Sequence, residues 1–445
     1  MASRFLLKDY VQSKFKSQLK SINEGIEKEG AFYLFSLRLI PLFPFFAINL
    51  IMGLMPIRTW QFFVVSQVGM LPGTIAYVNA GTSLGTIDSL TGILSAQVIL
   101  SFAVLGLIPI VSKKIVDSMR AYKALKGFKK PKKFDYNVLV IGAGAAGLVS
   151  SYIAATLKAR VGLIEKNKMG GDCLNTGCVP SKAIIKSAKV ANLINQSQKY
   201  GLETGPVKVD FKAVMGRVHN VIAKVEPHDS VERYSSLGVE CIHGAATIKS
   251  PYEIEVNGKT LTTRAIIVAT GASPFVPPID GLDQITPLTS ENVWGLDELP
   301  RRLVVLGGGP IGSELAQSFA RLGSQVTQVE MGPRIMGRED EDVSGEIQKR
   351  FVSEGIDVRV HHLAKKVEVK EGRKILICET EGKEVEIEFD EILIAVGRRA
   401  NTKGFGLQEL GVELSPRGTI EHDEFMATNF PNIFVCGDVA GPYQF

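Results

Sequence analysis

Hydrophobic and polar positions divide this chain into two unlike parts. Ahead of Lys113 lie three stretches with no charged side chain, bounded by Arg38, Arg58, Asp88 and Lys113 and 19, 29 and 24 residues long. A bilayer core takes roughly 20 apolar residues of helix, so the second and third stretches predict spanning helices. Around the first, RLIPLFPFFAINLIMG places Arg38, Pro41, Pro44 and Asn49 where an unbroken span would carry Leu or Val. Proline removes a backbone donor, and polar backbone freed at membrane depth must be satisfied by protein or water. This stretch predicts a broken or re-entrant segment. From Asp135 onward, short β-branched runs alternate with helical ones, the pattern of an α/β architecture. The predicted fold is multidomain: an α-helical membrane domain, then an α/β part with two dinucleotide-binding, Rossmann-like domains.

Composition changes this picture little, because averages of 45% hydrophobic and 22% charged residues hide the extreme at the front. The opening MASRFLLKDYVQSKFKSQLK is charged throughout and has no apolar core or small-residue cleavage site, which argues against a signal peptide. The apolar block is therefore expected to stay in the mature protein, and three such stretches are hard to hide in a water-soluble core. Charge adds an orientation. KKIVDSMRAYKALKGFKKPKK, residues 113–133, carries nine Lys or Arg against one Asp, and the first thirty residues carry six against four acids. An excess of cations marks the cytoplasmic side. With both flanks cytoplasmic the number of crossings is even, and the proline-broken stretch is the one that fails to cross. No nucleic-acid motif accompanies the basic run, so anionic lipid headgroups are its expected partner. Arg38 is either a snorkelling helix-end residue or, at membrane depth, a functional one.

The α/β part holds the same unit twice. YNVLVIGAGAAGLVSSYIAATLKARVGLIEK reads as strand, glycine turn, helix and strand, with Gly142, Gly144 and Gly147 spaced GxGxxG and Glu165 closing the second strand. The first glycine permits the tight turn, the second lets backbone approach a pyrophosphate, and the third lets helix pack on strand. The acid is placed to accept hydrogen bonds from ribose hydroxyls. RRLVVLGGGPIGSELAQSFARLGSQVTQVE repeats the pattern with Gly307, Gly309, Gly312 and Glu330. Two dinucleotide sites in one chain imply an electron donor and an acceptor held together. A carboxylate at the ribose favours NADH over NADPH, although Arg334 and Arg338 lie where a 2′-phosphate would need them.

Between the two units stands GGDCLNTGCVPSK. Five cysteines are too few for a disulfide scaffold, and no further ligands stand at metal-binding spacing, so no metal site is expected. Cys241, Cys378 and Cys436 are isolated and read as small hydrophobes. Cys173 and Cys178 are different. They follow the first glycine turn, where a helix start and Lys182 are expected to lower a thiol pKa.

GGDCLNTGCVP followed by SK resembles the active-site signature of the class I pyridine nucleotide-disulfide oxidoreductases, the group of dihydrolipoamide dehydrogenase, glutathione reductase and mercuric reductase. IIVATGASP around Thr270 and Gly271, the second glycine turn with Glu314 after it, AVGRRAN and IFVCGDVAG with Asp438 extend the resemblance over residues 135–445. It implies that Gly142, Gly144, Gly147, Glu165, Thr270, Gly271 and Asp438 hold FAD and that Gly307, Gly309, Gly312 and Glu330 hold NAD(P)H. It also implies electron flow from the nicotinamide through the flavin to a Cys173–Cys178 disulfide. Cys178 would face the flavin, Cys173 would attack substrate, and Lys182 would pair with Glu314. The apolar block resembles the DedA/VTT (SNARE-associated) family in its Arg38, Pro41, Pro44, Asn49 and Gly53. The implied segments are a polar start at 1–30, a membrane domain at 31–112, a basic linker at 113–134, an FAD domain at 135–281 plus 400–445, and an NAD(P) domain at 282–399.

Relative to that family the chain is expected to be truncated at both ends and to lack the C-terminal domain that carries the homodimer interface and an acid–base His. None of its six histidines lies beyond Asp438. The expected full-length protein is a multi-pass, homodimeric membrane enzyme with its flavin domain in the cytoplasm and a disulfide, metal or quinone as acceptor. The competing reading is a transport or lipid-handling protein whose flavin domain senses redox state.

Overall fold

A computed structural model describes residues 30–39, 45–52, 57–85 and 96–442. Pro41, Pro44 and Gly53 lie outside the described residues. The chain forms two compact units, residues 1–126 and 127–445.

In the first unit the described elements are helices α1 (Ala31–Leu39), α2 (Phe45–Met52), α3 (Thr59–Gly85) and α4 (Ala96–Leu125). Among the described residues, α1 (9 residues) leads up to the proline-bearing stretch and α2 (8 residues) lies within it, each by itself too short to cross an apolar core. The later stretches yield helices of 27 and 30 residues. Patterning on α3 is the reverse of a water-soluble helix. Its buried positions are Ser66, Gly69, Ala76, Ala80 and Ser83, while Trp60, Phe63, Leu71 and Ile75 are exposed. Small residues inside and large apolar ones outside suit helices that pack in lipid. Polar side chains pair across the α3–α4 seam: exposed Asn79 donates through Nδ2 to the buried Ser101 Oγ at 3.0 Å, and the buried Ser83 Oγ lies 2.9 Å from Ser101 Oγ. The basic run is only partly a linker. Residues 113–125 contain neither Gly nor Pro and continue α4, and Gly127, at φ +99°, follows its end.

The second unit begins with β1 (Tyr136–Ile141), α5 (Ala145–Thr156), β2 (Val161–Glu165), α6 (Gly171–Asn175), α7 (Cys178–Asn195), α8 (Phe211–Val225) and α9 (Val231–Ser236). Strands β3 (Val239–His243), β4 (Thr247–Ser250), β5 (Glu253–Val256), β6 (Lys259–Val268) and β7 (Ala272–Pro274) follow. Next come β8 (Arg302–Leu306), α10 (Pro310–Leu322), β9 (Gln325–Val329), α11 (Glu341–Ser353) and β10 (Asp357–Arg359). The chain continues through β11 (Leu363–Lys370), β12 (Arg373–Thr380), β13 (Lys383–Phe389), β14 (Glu391–Ile394), β15 (Arg398–Ala400) and β16 (Ile433–Val435).

One sheet runs β3-β2-β1-β6-β5-β4 with β16 against β6, and a second runs β10-β9-β8-β14. The central pairs β3/β2, β2/β1, β1/β6 and β6/β16 are parallel, as are all pairs of the second sheet. The strands of the second sheet read as near-continuous apolar runs because both faces are covered, one by α10 and the other by the antiparallel strands β11, β12 and β13. β11, β12 and β13 form an antiparallel sheet. A single hydrophobic core joins α7 to the second sheet: Ala183, Ile184, Ala188 and Ala191 pack with Leu315, Ala316, Phe319 and Leu322 of α10. Each parallel sheet thus aims its central strand and glycine turn at one end, and the helix that starts at Cys178 is anchored between them.

Candidate active site

Both glycine turns emerge from a central strand and lead into a helix, α5 after β1 and α10 after β8. Within each turn the glycines have separate jobs. A Cβ on Gly142 or Gly147 would collide with the carbonyl oxygen of Ala269 or Gly142, and one on Gly307 or Gly312 with that of Ala395 or Gly307. The middle glycines face space: a Cβ on Gly144 would meet only Gly171 Cα at 3.9 Å, and one on Gly309 nothing within 4 Å. Backbone bare on one side at a helix N-terminus is what a pyrophosphate requires. The residues present therefore fit two dinucleotides.

The two acids behave alike. Glu165 accepts from Ala143 N at 2.7 Å and Asn167 N at 2.7 Å, and Glu330 from Gly308 N at 2.6 Å and Gly332 N at 2.7 Å. Each carboxylate fixes its own glycine turn while standing at the strand end. Arg334 donates to the carbonyls of Gly337 and Glu339 and lies 3.7 Å from Glu341, so its charge is engaged within its own loop. Thr270 and Gly271, just after β6, are stapled to Asn401: Thr270 Oγ1 donates to Asn401 O at 2.7 Å, and Asn401 N to Gly271 O at 3.0 Å.

The thiol pair is built onto the first turn. Gly170 N donates to Ala143 O at 2.9 Å, and a Cβ on Gly171 would fall 2.6 Å from Gly144 Cα, so only glycine lets α6 lie this close. Cys173 is on α6 and Cys178 is the first residue of α7. The loop between them is held from the other side by Trp294, whose indole N–H donates to Thr176 O at 2.8 Å. Both cysteines are free thiols, and Cys173 hydrogen-bonds Cys178.

Two expectations need correction. Cys173 is not a low-pKa thiol: burial, then the Cys178 hydrogen bond and charge, then the Asp229 charge push it up to about 11. α6 is one short turn, and desolvation outweighs anything its N-terminus supplies. Nor is a Lys182–Glu314 ion pair closed among the described residues, although α7 and α10 pack together. Both side chains are exposed, where hydrated charges lose little by staying apart. Cys378 is buried and Cys241 and Cys436 partly so, and burial raises all three thiols.

The structure adds a residue that the sequence left without a role. Arg398 on β15, with 8% of its side chain exposed, forms an ion pair with Asp172, which precedes Cys173. It also donates to Ala272 O at 2.6 Å and lies 3.5 Å from Asp438. One buried cation thus faces both carboxylates beside the redox loop. Its only signal in the sequence was membership of AVGRRAN.

In the first unit Arg38 is buried. Its Nε donates to Ser66 Oγ at 3.2 Å and its Nη2 to Asn49 Oδ1 at 2.5 Å, with the Phe45 and Phe62 rings 4.9 and 5.6 Å away. Gly69 makes room, since a Cβ there would lie 2.7 Å from Arg38 Cβ.

Two dinucleotide cradles around a dithiol define a flavoprotein disulfide oxidoreductase. Residues 136–445 match the family model described as pyridine nucleotide-disulphide oxidoreductase, and the chain belongs to that family. Residues 1–83 match the VTT domain. The chain is 36% identical over 315 residues to a dihydrolipoyl dehydrogenase of Acholeplasma laidlawii, covering 70% of this chain and 91% of that protein. It is 34% identical over 312 residues to a mercuric reductase of Bacillus cereus, covering 70% of this chain and 49% of that protein, so it spans about half of that relative. Among solved structures, the HOCl-induced flavoprotein disulfide reductase RclA of Escherichia coli superposes with a TM-score of 0.61 at 29% identity, covering 70% of this chain and 67% of that one. A Cu(II) complex of the same reductase gives 0.61 at 28% identity, covering 69% and 67%. The family is FAD-dependent, takes electrons from NAD(P)H and is typically homodimeric. The VTT match and the two long apolar helices point to membrane association.

Proposed function

We propose that the protein is a membrane-bound reductase that passes electrons from NADH through FAD to the Cys173–Cys178 pair and on to a disulfide or similar small acceptor. The observation that carries this reading is the contact of Gly171 with Gly144, which seats the hydrogen-bonded thiols on the first dinucleotide cradle. When bound, FAD supplies hydride acceptance and two-electron transfer. The chain positions it. Gly142, Gly144, Gly147 and Glu165 take its pyrophosphate and ribose end, with Thr270, Gly271 and Asp438 alongside, and Gly307, Gly309, Gly312 and Glu330 take the nicotinamide nucleotide. Arg334, engaged by its own loop and Glu341, leaves Glu330 to favour NADH over NADPH. Cys178 faces the flavin, Cys173 meets substrate, and Lys182 and Glu314 set the charge nearby. The full-length enzyme is a homodimer, multi-pass in the membrane, with the flavin domain cytoplasmic.

Anaerobic NADH titration of the FAD-loaded protein tests this. The expected result is a long-wavelength thiolate-to-flavin charge-transfer band that Cys178→Ser loses. Flavin reduction without the band at the two-electron stage would redirect the search to a quinone acceptor.

A second reading is favoured by Arg38, a buried cation whose hydrogen-bond partners are neutral. Such a group in a membrane unit marks a solute or lipid site, and the flavin unit would then report redox state to it. Under this reading Arg38→Ala abolishes function while Cys173→Ser only alters its regulation.

A further inference from the structure

One carbonyl in the redox loop lacks the partner that its own helix would give it. Thr176 lies between Cys173 and Cys178, just ahead of the start of α7. The N–H that would reach Thr176 O from the first turn of α7 belongs to residue 180, which is proline and has none. Trp294 fills the gap: its Nε1–H donates to Thr176 O at 2.8 Å and is shared with Ser290 O at 2.8 Å. The rest of the loop is tied to its own chain beside the first glycine turn. Thr176 N and Gly177 N both donate to Asp172 O, at 2.9 and 2.6 Å, and Asn175 Nδ2 donates to Met169 O and Gly171 O at 3.0 and 2.9 Å.

The indole comes from the other nucleotide-binding half. Trp294 is 5% exposed and packs in the core that α7 shares with α10 and the second sheet. Its segment is mounted on β14: Leu288 N donates to Ile392 O at 2.8 Å, and Leu288 O accepts from Ile394 N at 2.8 Å. Asn292 braces the turn between Leu288 and Trp294, accepting from Thr289 N at 2.6 Å and donating to Pro287 O at 3.1 Å. β14 pairs with β8 and leads into Ala395, whose carbonyl abuts Gly307. The redox loop is thus held by the first cradle on one side and, through Trp294, by the strand beside the second cradle on the other.

We propose, on the reading above that Cys173 and Cys178 cycle between dithiol and disulfide, that Trp294 is a positioning residue that sets the stability of that disulfide. Closing the pair joins the ends of a six-residue stretch, Cys173 to Cys178, and releases two electrons and two protons. A stretch pinned at Thr176 gives up little freedom when the S–S bond forms. Without the pin the dithiol gains freedom that the disulfide, held by its covalent bond, does not, so the reduced form is favoured. The net worth of one hydrogen bond corresponds to about 3- to 10-fold in that equilibrium.

The test is the thiol–disulfide equilibrium of the FAD-loaded full chain with dithiothreitol. In it the Cys173–Cys178 disulfide and reduced dithiothreitol give the two cysteine thiols and the cyclic oxidised reagent. Samples held without oxygen at a series of reagent ratios are quenched by alkylation, and the peptide carrying both cysteines is counted by mass spectrometry. Trp294→Phe keeps an apolar ring and removes the N–H, and its half-oxidation is expected in a buffer about 3- to 10-fold richer in the oxidised reagent than the wild type needs. Asn292→Ala, an exposed change that only loosens the mount, should shift the midpoint the same way by less, and it carries the test if Trp294→Phe does not fold. Phe389→Leu, in the core on the opposite face of the second sheet, should lower Tm and leave the midpoint in place. An unmoved midpoint, a shift toward the reduced reagent, or an equal shift in Phe389→Leu overturns the assignment. A wild type that forms no Cys173–Cys178 disulfide at any ratio overturns the cycling reading instead, and this role with it.

Discussion

A methyl group added at Gly312 would enter the van der Waals shell of the Gly307 carbonyl oxygen, whereas one added at Gly309 meets nothing within 4 Å. The two positions separate fold from ligand. Gly312→Ala should destabilise the protein by about 1–3 kcal/mol, the usual range for overpacking, seen as a lower Tm. Gly309 has φ −75°, which alanine adopts freely, so Gly309→Ala should keep its Tm and weaken NADH binding in a fluorescence titration. A Gly309→Ala protein that binds NADH as the wild type does would remove the second glycine turn from the site. Positions such as these were legible in the sequence because a glycine turn states a local backbone requirement. Arg398 was not. Arg398 meets Asp172 across 226 residues of chain, and nothing near either residue in the sequence foretells the meeting. The Cys173 thiol was misread for a related reason: a helix start is visible in a sequence, but the desolvation that opposes it is a property of the packed site.

Between elements, two buried charge arrangements make separate predictions. Arg398 joins β15 to the redox loop and to Asp438 with its own side chain 8% exposed, and Asp172 is 47% exposed. Removing one partner of a fully buried pair costs about 3–5 kcal/mol. Arg398→Met should cost about 2–3 kcal/mol, because Asp172 turns toward water, and denaturant unfolding would measure it. A loss below the error of that measurement would make Arg398 a surface residue in energetic terms. Glu354, just after α11, accepts from Arg321 of α10 and from Arg350. Burial pushes its carboxyl up, but the two arginines outweigh burial and leave its pKa lowered from 4.5. A depressed folded pKa stabilises the protein above the unfolded value, and that contribution is lost as pH falls through the folded one. Glu354→Gln should therefore reduce stability at neutral pH and flatten the decline between neutrality and acid. A variant with the wild-type acid profile would show that the cluster is not coupled to folding. The element pattern itself was largely readable from the sequence, and the predicted break at Pro41 and Pro44 lies outside the described residues. The exception was α4, which runs on through residues 113–125 where a linker was expected. A charged, glycine-free and proline-free segment keeps its helix propensity whichever solvent surrounds it.

For the whole molecule the decisive quantity is charge around the two apolar helices. Thr59–Gly85 and Ile99–Leu125 are each 27 residues with mean hydropathy of 1.2 and 2.0, and only 17% of each apolar window is buried. Exposed apolar surface on that scale is stable in lipid, not in water. The proposed topology has the pair crossing twice and returning the chain to the side it left. Nine Lys or Arg against one Asp follow at residues 113–133, and cations in such a short flank resist transfer across the membrane. The flavin unit should therefore share the cytoplasm with its NADH. In right-side-out vesicles the segment after Lys126 should resist added protease, and in inside-out vesicles it should be cut. The full chain should stay in the pellet after an alkaline carbonate wash. Replacing the cations of residues 113–133 with Gln should scramble the protection pattern without releasing the protein, because the apolar helices hold it in the bilayer and the basic run only orients them. Release by carbonate would instead place the apolar helices against protein, and the tether proposed for the thiol pair would then have to be sought in a partner.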